Sequence, residues 1–272
     1  MLHLTHIPRP PLSEFVELLW FYECGPSAHA AERCLPSGSV DLIIDLGADR
    51  LCLRDRGDPR KVVEFADSLL CGAHAQYFII DTTRRRAIMG VHFKPGGAFP
   101  FFRLPMDELA NLHLPLEALW RGKEAALRER LLEAATPAEK FQSLERSLLA
   151  ALARPDARHG AVAAALTQFR RAAAVPKIAD FAEAVGLSQR RFIEIFSAEV
   201  GPTPKLFCRV LRFQQALRLV NDAERVDWTE IALTCGYYDQ PHFIHDFQAF
   251  CGFSPSAYLA HRGEHMNHAR HS

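Results

Sequence analysis

The C-terminal third of the chain contains one pattern of small, polar and aromatic residues twice. In the first copy Ala182 is followed four residues later by Gly186, and in the second copy Ala232 is followed four residues later by Gly236. The matches continue with Ser188 and Asp239, Phe192 and Phe243, Phe196 and Phe247, Gly201 and Gly252, and Pro204 and Pro255. From Ser188 onward the offset is a constant 51 residues, after one extra residue in the second turn. The fold of this region must therefore build the same local structure twice.

Each copy predicts a helix, a short turn and a second helix. Gly186 suits the position with left-handed backbone conformation at the end of the first helix. Ser188 is a preferred N-cap for the second helix. Phe192 and Phe196 are four residues apart and therefore share one buried face. Pro204 is well placed to begin the next helix. The same reasoning applies to the second copy.

A pair of helices joined by a short turn is the DNA-binding helix-turn-helix when its second helix presents polar groups outward. Both copies meet this condition, with Gln189 and Arg190 in the first and Gln240 and His242 in the second. The alternative is a plain helical bundle in which the repeat serves only packing. Because caps and glycines are duplicated in step, the DNA-binding interpretation is favoured.

The second copy extends into a longer signature that resembles AraC/XylS-type transcriptional regulators. The matching residues are Ile231, Ala232, Gly236, Tyr237, Asp239, Gln240, His242, Phe243, Phe247, Gly252, Ser254, Pro255 and Tyr258. The resemblance covers about residues 161–262. It implies two helix-turn-helix units joined by a long helix, here expected over Lys205–Asn221. At about 1.5 Å per residue this helix would span roughly 26 Å, enough to hold two recognition helices about one DNA turn apart.

The resemblance also implies which residues meet DNA. They are Ser188, Gln189, Arg190, Arg191, Ile193 and Glu194 in the first unit, Arg212 on the joining helix, and Asp239, Gln240, His242 and His245 in the second unit. Members of the family often carry a basic residue where Glu194 and His245 stand here. Basic and acidic residues are also nearly balanced from Gly160 to Ser272, which is a weak electrostatic footprint for a DNA-binding domain. The candidate phosphate contacts are Arg171, Arg190, Arg191, Arg209, Arg212 and Arg218. For each of them a solvated surface role is the alternative.

The N-terminal half predicts an antiparallel β structure. Strand-like runs lie at residues 40–46, 51–53, 77–80 and 88–93, separated by turn residues. Residues 12–21 fit either a helix or a strand. A helical pattern begins near Leu116, and Pro137 is well placed at a helix start. Segments around residues 35–43 and 90–98 resemble the sensor half of a subset of these regulators, so a cupin-like sensor domain is expected by analogy.

Composition excludes several classes of protein. Apolar residues make up 49% and charged residues 24%, which argues against a disordered chain. The seven cysteines are odd in number and lack a C-x-x-C pair, which argues against a disulfide framework and a cysteine-rich zinc module. An apolar signal region and an 18-residue apolar run are both missing, so a soluble cytoplasmic protein with no membrane association is expected.

Few residues in the N-terminal half indicate a metal, anion-binding or redox site. His74, His92 and Asp41 fit no metal-binding spacing, so neither a metal nor another cofactor is expected. Pro95-Gly96-Gly97 is either an anion-binding nest or, as we favour, a tight turn. Cys24 and Cys34 are either redox sensors or, as we favour, buried structural thiols. The effector-binding residues are unknown at this point.

These patterns together predict an α+β protein with a sensor and a DNA-binding half. Residues 1–153 are expected to form the β-rich sensor domain, with helices from about residue 116. An exposed linker is expected at 154–160, a double helix-turn-helix domain at 161–262 and a frayed tail at 263–272. The expected function is non-enzymatic regulation of transcription, as an activator or a repressor, through double-stranded DNA. Expected partners are RNA polymerase, a small-molecule effector and a second copy of the chain.

Two other functions compete with this prediction. The first is a DNA-repair protein or other enzyme with an appended DNA-binding module, which a reactive cysteine or a metal would indicate. The second is a helical protein that binds partners and not DNA. A salt-dependent mobility shift with genomic fragments would separate the second from the favoured function.

Overall fold

A computed structural model of the chain describes residues 2–25, 29–47, 50–83, 86–102, 104–152, 158–171, 176–223, 225–263 and 265–271. The strands are β1 (Leu2–His6), β2 (Val16–Cys24), β3 (Ala31–Cys34), β4 (Asp41–Asp45), β5 (Leu51–Arg54), β6 (Val62–Phe65), β7 (Ser68–Cys71), β8 (Phe78–Asp81), β9 (Arg86–Phe93), β10 (His113–Pro115) and β11 (His268–Arg270). The helices are α1 (Phe99–Phe102), α2 (Glu117–Trp120), α3 (Lys123–Glu133), α4 (Pro137–Ala151), α5 (Gly160–Arg171), α6 (Ile178–Ala184), α7 (Gln189–Val200), α8 (Pro204–Asp222), α9 (Trp228–Thr234), α10 (Gln240–Cys251) and α11 (Pro255–His261). The predicted α+β organisation is confirmed.

The strands form two antiparallel sheets. One has six strands in the order β1-β2-β9-β4-β7-β10, and the other has five in the order β11-β3-β8-β5-β6. The predicted alternation along β9 is confirmed, since Val91 and Phe93 are fully buried while His92 is half-buried on the opposite face. The segment at residues 12–21, which fitted a helix or a strand, forms a short 3-10 turn at Leu12–Glu14 and then enters β2.

The two faces of the six-stranded sheet have different partners. Leu42 and Leu70 point into the main core, where they join Leu127 of α3 and Leu144 of α4. Because side chains alternate along a strand, neighbouring residues point to the other face. On that face Leu69 and Cys71 of β7 cluster with Phe65 and Phe78 of the second sheet. The six-stranded sheet therefore lies between a helical layer and the five-stranded sheet.

Helices follow the strands where the sequence predicts them. Helix α4 begins at Pro137, and Thr136 forms a capping box with Glu139. Helix α8 agrees with the predicted joining helix to within one residue at each end. Its 19 residues correspond to about 28 Å. Within the described residues, no helix combines the length and apolar character needed to cross a bilayer.

Part of the expected linker at 154–160 is packed against the C-terminal half. Residues 153–157 lie outside the described residues, and Gly160 already begins α5. The His159 backbone N–H donates to Glu199 Oε1 at 2.9 Å. Burial raises the pKa of Glu199 to about 7, against the lowering effects of this hydrogen bond and of the Arg158 charge. Of the described residues of this segment, His159 and Gly160 are exposed as expected, while Arg158 is half-buried.

The prediction of a frayed tail is wrong for the residues that form a strand. Residues His268–Arg270 form β11, which pairs antiparallel with β3 in register His268–Cys34. His268 Nδ1 lies 2.7 Å from Glu32 Oε2, and Ala269 is fully buried. Burial alone would raise the pKa of Glu32, but hydrogen bonds and charge from His268 and His29 lower it to about 2. The tail is ordered because the open edge of β3 supplies backbone partners that a sequence pattern does not reveal.

The sheets and the C-terminal helices pack directly against each other. Gln214 of α8 donates to the Pro36 carbonyl, and the Tyr77 backbone N–H donates to the Phe250 carbonyl of α10. The Arg33 guanidinium lies 3.6 Å from the centre of the Phe253 ring. These contacts fix the orientation of α8 and α10 relative to the sheets.

Candidate nucleic-acid interface

The first helix-turn-helix unit consists of α6, a glycine turn and α7. Ala182 is fully buried on α6, which allows the second helix to approach closely. Gly186 has φ +74°, a left-handed conformation that glycine adopts without strain. The Ser188 side chain accepts a hydrogen bond from the Arg191 backbone N–H and caps α7. The turn and cap that the sequence predicts are therefore confirmed.

The second unit repeats this construction with α9 and α10. Ala232 is buried, and Gly236 has φ +71°. The Asp239 carboxylate accepts from the His242 backbone N–H at 2.8 Å and caps α10. Gly252 ends the helix in the left-handed region at φ +72°. The two copies of the sequence pattern therefore give two copies of the same local structure.

The paired phenylalanines set the rotation of each second helix about its axis. Phe192 and Phe196 on α7 are fully buried, as are Phe243 and Phe247 on α10. Since residues three and four apart share a face of a helix, burial of these rings turns the intervening positions outward. The predicted base-reading positions lie on that outward face.

The structure exposes most of the residues predicted to meet DNA. Ile193 is half-buried, and the exposed ones are Ser188, Gln189, Arg190, Arg191, Glu194, Asp239, Gln240, His242 and His245. They lie in the cap and the first turns of α7 and α10, the part of a recognition helix that meets base edges. The geometry thus presents two equivalent polar surfaces, while the contacts with DNA stay a prediction.

The charges on α7 are partly paired within the helix. Arg190 Nε lies 3.0 Å from Glu194 Oε1, and Arg191 Nη1 lies 3.5 Å from Glu194 Oε2. These hydrogen bonds, first that from Arg190, lower the pKa of Glu194. Glu194 therefore offsets part of the positive charge of both arginines on the outward face of α7.

Arg212 does not lie where a phosphate contact requires it. Its exposed fraction is 9%, and it donates from Nη1 to the Gly236 carbonyl at 3.2 Å. Its Nη2 lies 3.4 Å from Asp246 Oδ2, and its guanidinium lies 4.4 Å from the Tyr237 ring centre. The expectation that Arg212 contacts phosphate is wrong, because this side chain holds the second turn to α10.

Arg209 is also engaged with Asp246. Its Nη2 lies 2.7 Å from Asp246 Oδ1 and its Nε 3.3 Å from Oδ2. The hydrogen bonds to Asp246 raise the pKa of Arg209, against the opposing effect of burial. Asp246 is 2% exposed, so this pair is structural. Arg171 and Arg218 are exposed as the phosphate prediction requires.

Sequence reasoning missed one exposed aromatic side chain at this surface. Tyr238 is 90% exposed and immediately precedes the Asp239 cap. It stands in the turn where the second copy carries its one extra residue. That insertion was the available signal, because it marks a residue that the shared helix-turn-helix packing does not need.

The candidate metal-binding residues of the N-terminal half lie in two groups. His92 Nδ1 lies 2.6 Å from Asp41 Oδ1, on adjacent strands. His74 instead lies beside Cys71 and His113. At Pro95-Gly96-Gly97 a tight turn is confirmed: Gly96 has φ +71° and the Gly97 N–H donates to the Lys94 carbonyl. Of the two cysteines, Cys34 is half-buried, while the side chain of Cys24 lies outside the described residues.

A cleft of about 720 Å³ lies between the two halves of the chain. Its sensor side includes Phe65, His74 and His113, and its other side includes Leu206 and Arg209 of α8. A site of this size can hold a small molecule. Because both halves line it, an occupant would contact both.

Comparisons with known proteins match both halves separately. Residues 4–115 match a family described as a domain of unknown function (DUF6597), and residues 181–261 match a family described as a helix-turn-helix domain. An uncharacterized HTH-type transcriptional regulator of Haemophilus influenzae is 33% identical over 81 residues, which are 30% of this chain. The match spans 27% of that relative's length.

Two solved structures are similar to this chain at low sequence identity. ToxT from Vibrio cholerae is 12% identical, with a TM-score of 0.45 over 89% of this chain and 97% of that protein. The C-terminal domain of AraT, a response regulator from Geobacillus stearothermophilus, is 20% identical, with a TM-score of 0.36 over 40% of this chain and 97% of that domain.

Proposed function

We propose that the C-terminal region of this chain is a helix-turn-helix domain of the AraC/XylS type and that the whole protein is a sequence-specific regulator of transcription that binds double-stranded DNA. The observation that carries the proposal is the pair of equivalent surfaces on α7 and α10, which a fully buried phenylalanine pair beneath each helix turns outward. One such surface could be incidental, whereas two with matching caps and glycines indicate that both units bind DNA in the same way. The proposed mechanism is binding without a chemical reaction, in the cytoplasm.

On α7 the residue that we propose to read a base is Arg190. Its side chain is 91% exposed and projects from the first turn of the helix. Arginine can pair with guanine O6 and N7 for about 1–3 kcal/mol of discrimination. The ion pair with Glu194 is exposed and therefore weak, so Arg190 can exchange it for a base. Glu194 is then free to accept a hydrogen bond from cytosine N4.

On α10 the proposed reading positions are Gln240, His242 and His245. Glutamine suits adenine, since its amide can pair with N6 and N7 together. The imidazoles of His242 and His245 each lie 3.9 Å from an oxygen of the buried Asp246 carboxylate. Both rings are exposed on α10 and can donate or accept a hydrogen bond at a base edge.

Selection of bound fragments from a random double-stranded DNA library tests the proposal. We expect an enriched motif with two half-sites about one helical turn apart. Arg190→Ala should relax specificity at one base pair, and Gln240→Ala at a base pair of the other half-site. Arg60→Ala is the matched control, because it removes an equal charge from a 92%-exposed position of the sensor half. Failure to enrich any sequence at low salt, with the protein folded, would refute the proposal.

Glu194→Gln tests the same surface with a substitution that should strengthen DNA binding and not weaken it. Removing this carboxylate frees Arg190 and Arg191, so the affinity for all DNA sequences should rise. The slope of log affinity against log salt concentration should steepen by the amount expected for up to one or two additional phosphate contacts. Discrimination at the base pair that Glu194 contacts should fall. If affinity stays the same on all sequences, the two arginines are not near DNA.

We also propose control by a small molecule that occupies the cleft between the two halves. An effector that contacts both halves can favour one arrangement of α8 over another, which is the requirement for regulation. A thermal-shift screen of metabolites on the protein and on Ala249→Trp, which fills the cleft wall, tests this. Compounds that stabilise only the unsubstituted chain support the cleft as the effector site. Equal stabilisation of the unsubstituted chain and of Ala249→Trp would place the effector site elsewhere.

Two partners follow from the family resemblance. We propose that the protein pairs with a second copy on DNA and contacts RNA polymerase when bound upstream of a promoter. Analytical ultracentrifugation with a selected DNA fragment measures the first, and transcription reconstituted from purified components measures the second. A single bound chain, or transcription that is indifferent to the protein, would rule out the respective partner.

A further inference from the structure

One row of polar side chains crosses four neighbouring strands of the six-stranded sheet. In register, His92 of β9 faces Asp41 of β4, Asp41 faces Cys71 of β7, and Cys71 faces His113 of β10. Because residues opposite each other on neighbouring strands point to the same side of a sheet, the four side chains share the face toward the second sheet. His74, three residues after Cys71, joins them at the end of β7.

Three of these residues bring their donor atoms together. One side-chain donor atom from each of Cys71, His74 and His113 lies within 4.8 Å of the other two. The distance from Cys71 Sγ to His74 Nε2 is 3.9 Å. A tetrahedral zinc ion with ordinary Zn–S and Zn–N bond lengths separates such atoms by about 3.6 Å. Small side-chain rotations therefore suffice to close the three donors on one ion.

The cluster combines a buried thiol with two half-buried imidazoles. Cys71 is 3% exposed. The Nε2 atom of His113 is buried and makes no hydrogen bond within the part of the chain that the structure describes. Leaving a buried polar atom unpaired is unfavourable, and a bound ion would supply the missing partner.

Aromatic packing is the competing explanation of the cluster. His74 and His113 have ring centres 4.6 Å apart, and each also packs on Phe78. A phenylalanine would fill the place of either histidine without leaving a polar atom unpaired. Packing alone does not account for the Cys71 thiol beside these rings or for the unpaired nitrogen of His113.

We propose that Cys71, His74 and His113 form a binding site for a transition-metal ion of the zinc class in the sensor half. A thiolate and two imidazoles are ligands that select zinc and similar ions over magnesium or calcium. Three protein ligands leave a fourth position for the Asp41 carboxylate or for a molecule from the adjoining cleft, since His74 and His113 both line that cleft. The Asp41 charge offsets part of the charge of the ion, and the His92 hydrogen bond orients it.

Cobalt(II) provides the direct test, because a tetrahedral cobalt–thiolate site has a charge-transfer band in the near ultraviolet and strong bands in the visible. We expect one equivalent of cobalt to give both bands and one equivalent of zinc to remove them. Cys71→Ser should abolish the charge-transfer band and weaken binding more than about 100-fold. Cys52→Ser, which alters another buried thiol, should change neither.

Two further variants separate the metal site from its alternatives. His113→Phe keeps an aromatic ring in the cluster and should fold, yet it should bind cobalt more than about 100-fold more weakly. Asp41→Asn should weaken binding by a smaller factor, about 10- to 100-fold, if it acts beside the ligands. Circular dichroism of each variant without metal checks that it folds.

Three outcomes overturn the proposal. Cobalt that binds without a charge-transfer band, and binds equally well to Cys71→Ser, indicates nitrogen ligands only, as the tail histidines His265, His268 and His271 could supply. An unchanged cobalt spectrum in His113→Phe assigns the ring to packing. No binding of cobalt or zinc to the folded chain excludes the site. The DNA-binding function does not depend on any of these results.

Discussion

Replacing Arg212 by alanine should destabilise the second helix-turn-helix unit and leave the electrostatics of DNA binding unchanged. Arg212 is buried between α8, the Gly236 turn and α10. Its guanidinium donates to the Gly236 carbonyl, pairs with Asp246 and covers the Tyr237 ring. The substitution removes all three contacts at once.

The size of the effect follows from these contacts. A hydrogen bond from a charged donor to a buried carbonyl contributes about 1.5–3 kcal/mol, and a desolvated cation–π contact contributes about 2 kcal/mol. Asp246 keeps Arg209 as a partner, so its charge is not left isolated. We therefore expect a loss of about 3–5 kcal/mol, a large part of the about 5–15 kcal/mol that stabilises a domain.

Hydrogen exchange measured by mass spectrometry as urea is increased reports this loss separately for each region. The urea midpoint for α9 and α10 should fall, while that for β4 and β9 should change little. Arg218→Ala is the control, because Arg218 lies on the same helix with an exposed side chain. It should keep the midpoint, and it should flatten the salt dependence of DNA binding if it contacts phosphate.

The opposite pattern would refute this reasoning. If Arg212→Ala kept the urea midpoint and reduced the salt dependence of DNA binding by about one phosphate contact, Arg212 would be a DNA ligand. The buried arrangement with Asp246 would then not describe the protein in solution.

Three other predictions follow from the packing. Phe196→Ala and Phe247→Ala should each cost about 3–5 kcal/mol, because both rings are fully buried; thermally silent variants would contradict the burial of these rings. Glu199 has a pKa of about 7 in the fold, against an ordinary value of 4.5, so its contribution to stability is complete below about pH 4.5 and is lost as the pH rises through about 7. Glu199→Gln should remove that loss, measured as a smaller drop in urea midpoint between about pH 5 and pH 8, and an unchanged drop would reject the assignment. A chain ending at Gly263 lacks β11, so amide exchange in β3 near Cys34 should accelerate, and unchanged exchange there would mean that β11 does not pair with β3.

The double helix-turn-helix could be read from the sequence because its determinants are local. Gly186 and Gly236 adopt the left-handed conformation that the pattern demanded, and Ser188 and Asp239 cap the helices that follow them. A cap, a turn glycine and a pair of rings four residues apart act within a few residues of each other. These features can therefore be recognised from the amino-acid sequence alone.

Other features were decided only by tertiary structure. Arg212 is an ordinary helix arginine in the sequence, and its burial results from Asp246 and the Gly236 carbonyl, which come from other elements. The tail forms a strand because β3 offers it an open edge.

The Cys71, His74 and His113 cluster belongs to the same class. The sequence suggested a grouping of His74 with His92 and Asp41, and it has no metal-binding spacing that links Cys71 to His113. Strand register places these two residues opposite each other, although 42 positions separate them. Local capping and burial patterns are fixed by neighbours in the chain, whereas strand register, edge pairing and buried charge depend on which distant segments meet.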